Sequence, residues 1–302
     1  MAIDSATTLE SGFSQWLTPE DSAPIFEDAR RQSVVQQLVP QVPLAYNGRR
    51  IPVVTDEPSA EWVGEGQQKP TTSAGMDMKY MEPHKLASIA VVSQEVVRAN
   101  PANYMQIIRD GLANAFAKAF DAAALHSTNS PFATSVGQTT KTQNLGDDTM
   151  MGDLNGALRQ LVVDDHKLTG WAFDSVAEPL LNAASDSMGR PLLIDPSYSD
   201  ANVTVSNARL LGRPAFVGKG VAGPGDVVGF AGDWNKARWG VVGGISYDIS
   251  KETAVTIGGE LRSLWEYNLV AIRAEMEAGF VVGDTDAFVK LTNTTAATEP
   301  AA

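Results

Sequence analysis

The segment GKGVAG, from Gly218 to Gly223, matches the G-x-G-x-x-G pattern of dinucleotide-binding loops. Such a loop needs a strand before it and a helix opening at its last glycine, because backbone N–H groups at the helix N-terminus bind the phosphates. A strand pattern does precede Gly218. However, Pro224 and Gly225 follow at once and another strand pattern then begins, so a flexible glycine turn is favoured over a nucleotide site.

Two other segments combine residue types that could do chemistry. VVDDHK, from Val162 to Lys167, places two carboxylates beside a histidine. Adjacent residues do not share a helix face, so a solvated helix end is favoured over a catalytic site. WNKARW, from Trp234 to Trp239, flanks a small basic patch with tryptophans. Here a pair of core tryptophans is favoured over a nucleic-acid site.

The composition narrows the function classes further. The chain has no cysteine, and its three histidines, His84, His126 and His166, lie far apart. Disulfide scaffolds, zinc ribbons and thiol nucleophiles are excluded, and a metal enzyme is disfavoured. We therefore predict that the protein is not an enzyme, with no catalytic residue, no cofactor and no metal.

Net charge and hydropathy limit the partners. The net charge is −13, from 23 basic and 36 acidic residues. This argues against broad DNA binding through a basic face, and it suits a surface that lies near DNA without adhering to it. No run approaches the roughly 18 apolar residues of a membrane helix, and the N-terminus lacks a signal-peptide pattern, so no membrane partner is expected.

A long hairpin is predicted around a polar stretch, Gly64 to Gly75, that has little to bury. Extended patterns precede it at Arg50–Val54 and Glu61–Val63, and Lys85–Val92 is predicted as the returning strand. Such a hairpin has no core of its own, so its apolar ends need a surface supplied by neighbouring copies.

Charged residues near the hairpin tip predict contact rather than catalysis. Glu61, Glu65 and Lys69 flank the tip. Catalytic carboxylates usually sit over a rigid, packed pocket, which this loop does not offer.

The rest of the chain is predicted to form an arm, a long helix and two packed units. Residues 1–48 hold short apolar pieces between prolines, with a short helix predicted at Ile25–Leu38. This arm cannot close a core of its own, so it is expected to lie on a surface supplied by neighbouring copies. A helix starting at Asn100-Pro101 is predicted to run to about His126, with apolar residues at steps of three and four. The strict alternation in Ile272–Phe280 predicts a strand with one wet face.

A mixed α/β unit is predicted between the long helix and this strand. Its helices are predicted at Leu154–Val163 and Ser175–Ala184, and a loop is predicted at Asp186–Asp200. Its strands are predicted at Trp171–Phe173, Leu210–Val217, Val227–Phe230, Trp239–Val242 and Ile245–Ile249. After this unit and the Ile272–Phe280 strand, a final strand is predicted at Ala287–Leu291.

Seven segments in order carry a resemblance to a known family. The most specific are AEWVGEG (Ala60–Gly66), KLASIAVVSQE (Lys85–Glu95) and LLGRPAFV (Leu210–Val217). The others are LTPEDSAPIFEDARRQSVVQQLV, SMGRPLL, GDWNKARWGVVGGISYDIS and IRAEMEAGFVVGDTDAFVKL. With them the chain resembles the major capsid proteins of tailed double-stranded DNA bacteriophages, which have the HK97 fold.

The resemblance implies an α+β fold with named parts. They are an N-terminal arm (1–48), an E-loop hairpin region (49–92), a P-domain with a spine helix (93–149), an α/β A-domain (150–248), P-domain return strands (249–293) and a disordered tail (294–302). It further implies inter-subunit contact through the E-loop, for which Trp62, Glu65, Lys69 and Lys79 are the candidates. Some relatives cross-link an E-loop lysine to a P-domain asparagine, but no motif match fixes Lys69, Lys79 or Asn268 as such partners.

The implied function is a shell subunit that forms pentamers and hexamers around phage double-stranded DNA. The implied location is the virion, after assembly in the host bacterial cytoplasm. The expected partners are further copies of the chain, a separate scaffold protein, a portal, DNA bound without sequence specificity and possible decoration proteins. An encapsulin-type nanocompartment shell and a nucleotide-binding enzyme stay open as alternatives.

Overall fold

The computed structural model of the protein describes residues 33–56, 58, 60–69, 71–72, 75–99, 104–146, 149–185, 188–198 and 205–293. The helices are α1 Val34–Leu38, α2 Gln94–Ala99, α3 Tyr104–Leu125, α4 Met150–Val163 and α5 Glu178–Ala183. The strands are β1 Arg49–Asp56, β2 Gly75–Met81, β3 His84–Ser93, β4 Thr142–Asn144, β5 Gly170–Asp174, β6 Leu193–Tyr198, β7 Ser206–Leu210, β8 Arg213–Gly218, β9 Val227–Gly232, β10 Ala237–Ser250, β11 Ala254–Ile257, β12 Glu260–Ser263, β13 Leu269–Val282 and β14 Phe288–Thr292. The first part of the predicted arm, the helix start at Asn100-Pro101 and the predicted tail lie outside the described residues.

The larger sheet has seven strands in the order β4-β14-β9-β5-β8-β7-β6. Its central strands β5 and β9 are buried along their whole length, as expected for near-continuous apolar runs covered on both faces. Helix α4 covers one face against β4, β9 and β14. Trp171 and Phe173 stack in that core with ring centroids 6.0 Å apart.

The smaller sheet, β10-β13-β3, packs against the long helix α3. Phe120 of α3 meets Phe280 of β13 edge to face at 6.3 Å between centroids. The predicted alternation in β13 is confirmed: Met276 is buried, whereas Arg273 is exposed and pairs with Asp248 at 2.5 Å. No helix in the described part of the chain is long and apolar enough to cross a membrane.

Several strand boundaries near glycines differ from those predicted. The predicted strand Leu210–Val217 is two strands, β7 and β8, joined by a two-residue turn in which Leu211 and Gly212 have φ of 50° and 74°, as tight hairpin turns require. Conversely, Trp239–Val242 and Ile245–Ile249 are one strand, β10, with a register shift at its two glycines. The predicted loop Asp186–Asp200 contains strand β6.

The described part of the predicted arm lies on its own subunit. Helix α1 fits between α3 and the larger sheet, and Val34 and Val35 are completely buried. Glycines in the sheet make room for it, since a Cβ at Gly218 would lie 2.6 Å from Cγ2 of Val34 and one at Gly170 would lie 2.7 Å from Cδ2 of Leu38. For this segment, the expectation that neighbouring copies supply the surface is wrong.

The chain beyond α1 follows strand β10. The Trp239 indole N–H donates to the carbonyl of Val39 at 2.9 Å, and the N–H of Val42 donates to the carbonyl of Trp239 at 2.8 Å. Leu44 then joins a small core with Met81 and Val281. Residues 33–44 are therefore bound by both helix packing and strand-like pairing.

The predicted hairpin exists, but its returning strand is β2. Strand β1 pairs with β2 from Arg49 opposite Met81 to Val54 opposite Met76. The predicted returning strand, Lys85–Val92, lies within β3 and pairs with β13 in the smaller sheet. Glu61–Val63 forms no strand. The sequence of β2, GMDMKYM, has period two but few residues with high strand propensity, so its local pattern indicates a strand less clearly than the apolar run of β3 does.

Sheet membership does not follow the boundary predicted at residues 248 and 249. Strand β10 lies mostly before that boundary, yet it pairs with β13 in the smaller sheet. Strand β14 lies after it, yet it pairs with β9 and β4 in the larger sheet. The chain thus passes between the sheets twice near its end.

Candidate functional site

The Gly218–Gly223 loop is already occupied by a side chain of the protein. The Oδ2 atom of Asp174 accepts the N–H groups of Gly220, Val221 and Ala222 at 3.2, 3.1 and 2.9 Å. Gly223 then forms a β-bridge with Val227 rather than opening a helix. The N–H groups that a phosphate would need are bound to a carboxylate, so the geometry gives no support to the nucleotide-binding alternative.

The acidic pair beside His166 marks a helix end held by polar side-chain contacts. Asp164 lies 2.5 Å from Lys141 Nζ, and the hydrogen bond from Lys141 lowers the pKa of Asp164. The Nε2 atom of His166 lies 3.5 Å from Oδ2 of Asp284. These contacts join three chain segments, and they do not arrange the two carboxylates as an acid and a base.

The tryptophans of WNKARW belong to the core, as predicted. Trp234 and Trp239 are buried, and each indole N–H donates to a backbone carbonyl, those of Gly170 and Val39. Across the residues that the structure describes, no group of three metal-ligating side chains could hold an ion.

The base of the β1–β2 hairpin is fixed to the subunit. Lys79 Nζ donates to the carbonyl of Val282 at 3.2 Å, and the Tyr80 hydroxyl donates to the carbonyl of Asn47. Met81 is completely buried, and Ile51 packs against the same small core. Polar and apolar contacts together therefore fix where the hairpin leaves the subunit.

One face of the hairpin is apolar and exposed. Residues opposite each other in an antiparallel pair point to the same side, and Val54 opposes Met76 while Pro52 opposes Met78. Met76 and Met78 are 67% and 60% exposed. We call Pro52, Val54, Met76, Met78 and Tyr80 the methionine face. A contiguous exposed apolar surface of this kind is a candidate interaction site.

The four predicted contact residues separate into two groups. Trp62, Glu65 and Lys69 are exposed on the connection between the two strands, and Trp62 carries the most exposed large apolar side chain in the described part of the chain. Lys79 lies instead at the hairpin base and is half-buried against β13. Their contact with another subunit stays a prediction.

The sequence analysis did not identify the methionine face. Its signal was present as three large apolar residues, Met76, Met78 and Tyr80, at period two among charged residues. A second exposed apolar group, Leu261, Trp265 and Tyr267, lies on and after the β11–β12 hairpin and was also missed. In both cases it is exposure, rather than residue type, that separates these residues from the core.

Comparison with known proteins identifies the family. The model of the phage capsid family matches residues 16–293. The chain belongs to the phage capsid family. The "probable major capsid protein gp17" of Mycobacterium phage D29 is 41% identical to this capsid-family chain, over 97% of the chain and 95% of the relative. The protein of the same name from Mycobacterium phage L5 is 42% identical, over 95% and 92%.

A solved structure from Gordonia phage Cozz has the same fold. It covers 87% of this capsid-family chain and 87% of its own, with a TM-score of 0.63 and 26% identity. The predicted α+β capsid fold is therefore confirmed. This family is one of structural shell proteins and not an enzyme class, and neither alternative function gains support.

Proposed function

We propose that this chain is the major capsid protein of a tailed bacteriophage and assembles as pentamers and hexamers into a closed shell around double-stranded DNA. The observation that carries the proposal, within a capsid-family chain, is the exposed methionine face on a hairpin whose base is fixed to the rest of the chain. An apolar face that the subunit does not cover is explained by a neighbouring copy that does.

The hairpin acts in this proposal as an E-loop. Contacts at its base set the direction in which it projects, so the same contact repeats around each ring of subunits. Trp62 at the far end supplies a large apolar anchor, and Glu65 and Lys69 supply a polar rim. Each contact is modest, but many neighbours per subunit give a stable shell through avidity.

The domain names follow from the same proposal. The smaller sheet with α3 corresponds to the P-domain, and the larger sheet with α4 and α5 to the A-domain. Residues before Arg49 form the arm, of which 33–44 serve as the root inside the subunit.

The partners beyond copies of the chain are proposed from charge and resemblance. A net charge of −13 favours DNA that slides past the shell without sequence-specific contacts. A separate scaffold protein, a portal and decoration proteins complete the set, and the assembled protein resides in the virion after assembly in the host cytoplasm.

Electron microscopy of the protein expressed alone and with its neighbouring genes tests the proposal. The wild-type chain is expected to form closed shells or capsomer-sized rings. The double substitution Met76→Glu and Met78→Glu is expected to abolish them, because the two new carboxylates on each hairpin would lose water when the methionine face is covered. Circular dichroism of the variant is expected to match wild type, since both side chains are exposed.

Met188→Glu is the matched control, because Met188 is an equally exposed methionine outside the hairpin, at 80%. It is expected to leave shells or rings intact. Normal assembly of the Met76→Glu, Met78→Glu variant would contradict the role of the hairpin. Absence of any assembly from wild type, even with the neighbouring genes, would contradict the capsid function itself.

A further inference from the structure

A pocket lined by aromatic rings lies at the base of the β1–β2 hairpin. Its volume is about 380 Å³, and its lining includes Tyr80, Phe132 and Phe280. The rings form a cluster, because His84 meets Phe132 edge to face at 5.7 Å between centroids and Phe132 lies 5.9 Å from Phe280. Ala133 on the rim is exposed, so the pocket opens to the surface. This size and lining are typical of a site that binds a small, mostly apolar group.

Strand β13 holds both walls of the pocket in place. On one side the N–H of Val282 donates to Oγ1 of Thr134 at 2.9 Å, which fixes the segment that carries Phe132. On the other side the carbonyl of Val282 accepts a hydrogen bond from Nζ of Lys79 at 3.2 Å, which fixes strand β2. The pocket is therefore formed within one subunit before any ligand arrives, and binding there costs little ordering.

The polar groups of the pocket define the chemistry of its ligand. Lys79 and the exposed Glu82 both line it. A cation favours the face of an aromatic ring, and aromatic walls favour edge-to-face or offset packing with another ring. A carboxylate accepts a hydrogen bond from an N–H group. A flat aromatic group with an N–H donor satisfies all of these conditions, and the indole of tryptophan is the largest side chain of that class.

Trp62 is such a side chain, and its own subunit does not cover it. It is completely exposed and lies on the connection between β1 and β2. The strands pair from Arg49 opposite Met81 to Val54 opposite Met76, which is roughly 17 Å of paired strand at about 3.3 Å per residue. This paired length separates Trp62 from the pocket at the base of its own hairpin. An indole that fills the pocket therefore comes from another copy.

We propose that the pocket binds Trp62 of a second copy, so that each hairpin carries a knob at its far end and a socket at its base. This inference rests on the proposed shell function, and it names the surface that receives the hairpin. Tyr80 belongs to the methionine face and also lines the pocket. A copy that covers the methionine face therefore reaches the mouth of the pocket as well.

The charges around the knob and the socket are complementary. The connection carries Glu61, Glu65 and Lys69, all exposed, and the pocket carries Lys79 and Glu82. Each side thus offers the other both an acid and a base, which favours one orientation of the two copies. Because the knob and the socket lie at opposite ends of the hairpin, the contact is head to tail. A head-to-tail contact closes into a ring when its rotation allows.

Thiol cross-linking tests the contact directly, because the chain has no cysteine. Val63→Cys, next to the retained Trp62, is combined with Ala133→Cys on the pocket rim. The protein is assembled by co-expression with its neighbouring genes and treated with a short bis-maleimide. We expect a ladder of linked multimers on denaturing gels from the double variant and no ladder from either single variant. Val63→Cys with Met188→Cys is the matched control and is expected to give no ladder.

Two substitutions at exposed positions test the contact through assembly. Trp62→Ala removes the knob, and Ala133→Trp fills the socket with an indole from the same subunit. Each is expected to raise the protein concentration needed for rings or shells about tenfold or more. Thermal melting of the subunit is expected to match wild type, since both positions are exposed. Met188→Ala is the control and is expected to change neither quantity.

The outcomes separate this contact from the shell function itself. Assembly of both variants at the wild-type concentration, with no ladder from the Val63 pair in intact particles, would overturn the pocket and leave the shell proposal standing. A ladder from Glu266→Cys with Ala133→Cys, in place of the Val63 pair, would assign the pocket to Trp265 and would also overturn the inference. Absence of any wild-type assembly would contradict the proposed function and this contact with it.

Discussion

The arm root and the hairpin are both predicted from the sequence to have no core of their own, but one is buried in the structure and the other is exposed. Residues 33–44 are buried on their own subunit, with Val34 and Val35 fully covered. The hairpin is fixed at its base, and its methionine face stays exposed among the described residues. A sequence pattern that cannot bury itself therefore shows that a surface is needed, but not which molecule provides it.

The physical difference lies in the receiving surface. The arm root has a site prepared for it, because Gly170 and Gly218 leave space in the sheet and Asp121 offers acceptors for the helix N-terminus. The methionine face, in contrast, is left exposed by the described part of the chain. Long-range complementarity of this kind joins residues at least 86 positions apart and cannot be seen in a local pattern.

The largest expected effect comes from emptying the arm root. Val34→Ala with Val35→Ala removes four buried carbon atoms, which predicts a loss of about 3 kcal/mol in the free energy of unfolding at roughly 0.8 kcal/mol each, before any cavity cost. Chemical denaturation measures it. The same change at two exposed valines, Val162→Ala with Val163→Ala at the end of α4, is the control and is expected to stay within about 0.5 kcal/mol of wild type. Equal effects of the two pairs would contradict an intramolecular arm root.

A smaller effect is expected from filling the space that the glycines provide. Gly218→Ala places a Cβ 2.6 Å from Val34 Cγ2 and 3.0 Å from Val205 Cγ2, so we expect a loss of about 1–3 kcal/mol from overpacking. Gly111→Ala in α3 is the control, because a Cβ there meets nothing within 4 Å. It is expected to stabilise the protein by about 0.5–1 kcal/mol through helix propensity. Opposite signs in thermal melting would confirm the contact, whereas a neutral Gly218→Ala would contradict it.

The sequence predicted correctly those elements in which the spacing of the apolar residues matches the burial of one face. The alternation in β13 and the apolar spacing in α3 predicted both elements because each has one buried and one exposed face. The pairing partner of β1 was predicted wrongly, since β2 and β3 are adjacent in sequence and only the more apolar one was recognised. For the candidate site, Trp62, Glu65 and Lys69 were placed on the exposed connection, while the methionine face depends on exposure that residue types do not report.

The smallest expected effect distinguishes the two lysines that were predicted together as contacts. Lys79→Ala removes the hydrogen bond to the Val282 carbonyl and is expected to cost about 0.5–1.5 kcal/mol of subunit stability, with faster hydrogen exchange in β1 and β2. Lys69→Ala, on the exposed connection, is expected to leave stability unchanged and to alter only the salt dependence of assembly, because exposed charges are screened. If Lys69→Ala destabilises the isolated subunit as much as Lys79→Ala, the division of the hairpin into a fixed base and a free far end is wrong. If neither variant changes anything, the hairpin is held by its apolar base contacts alone, through Ile51 and Met81.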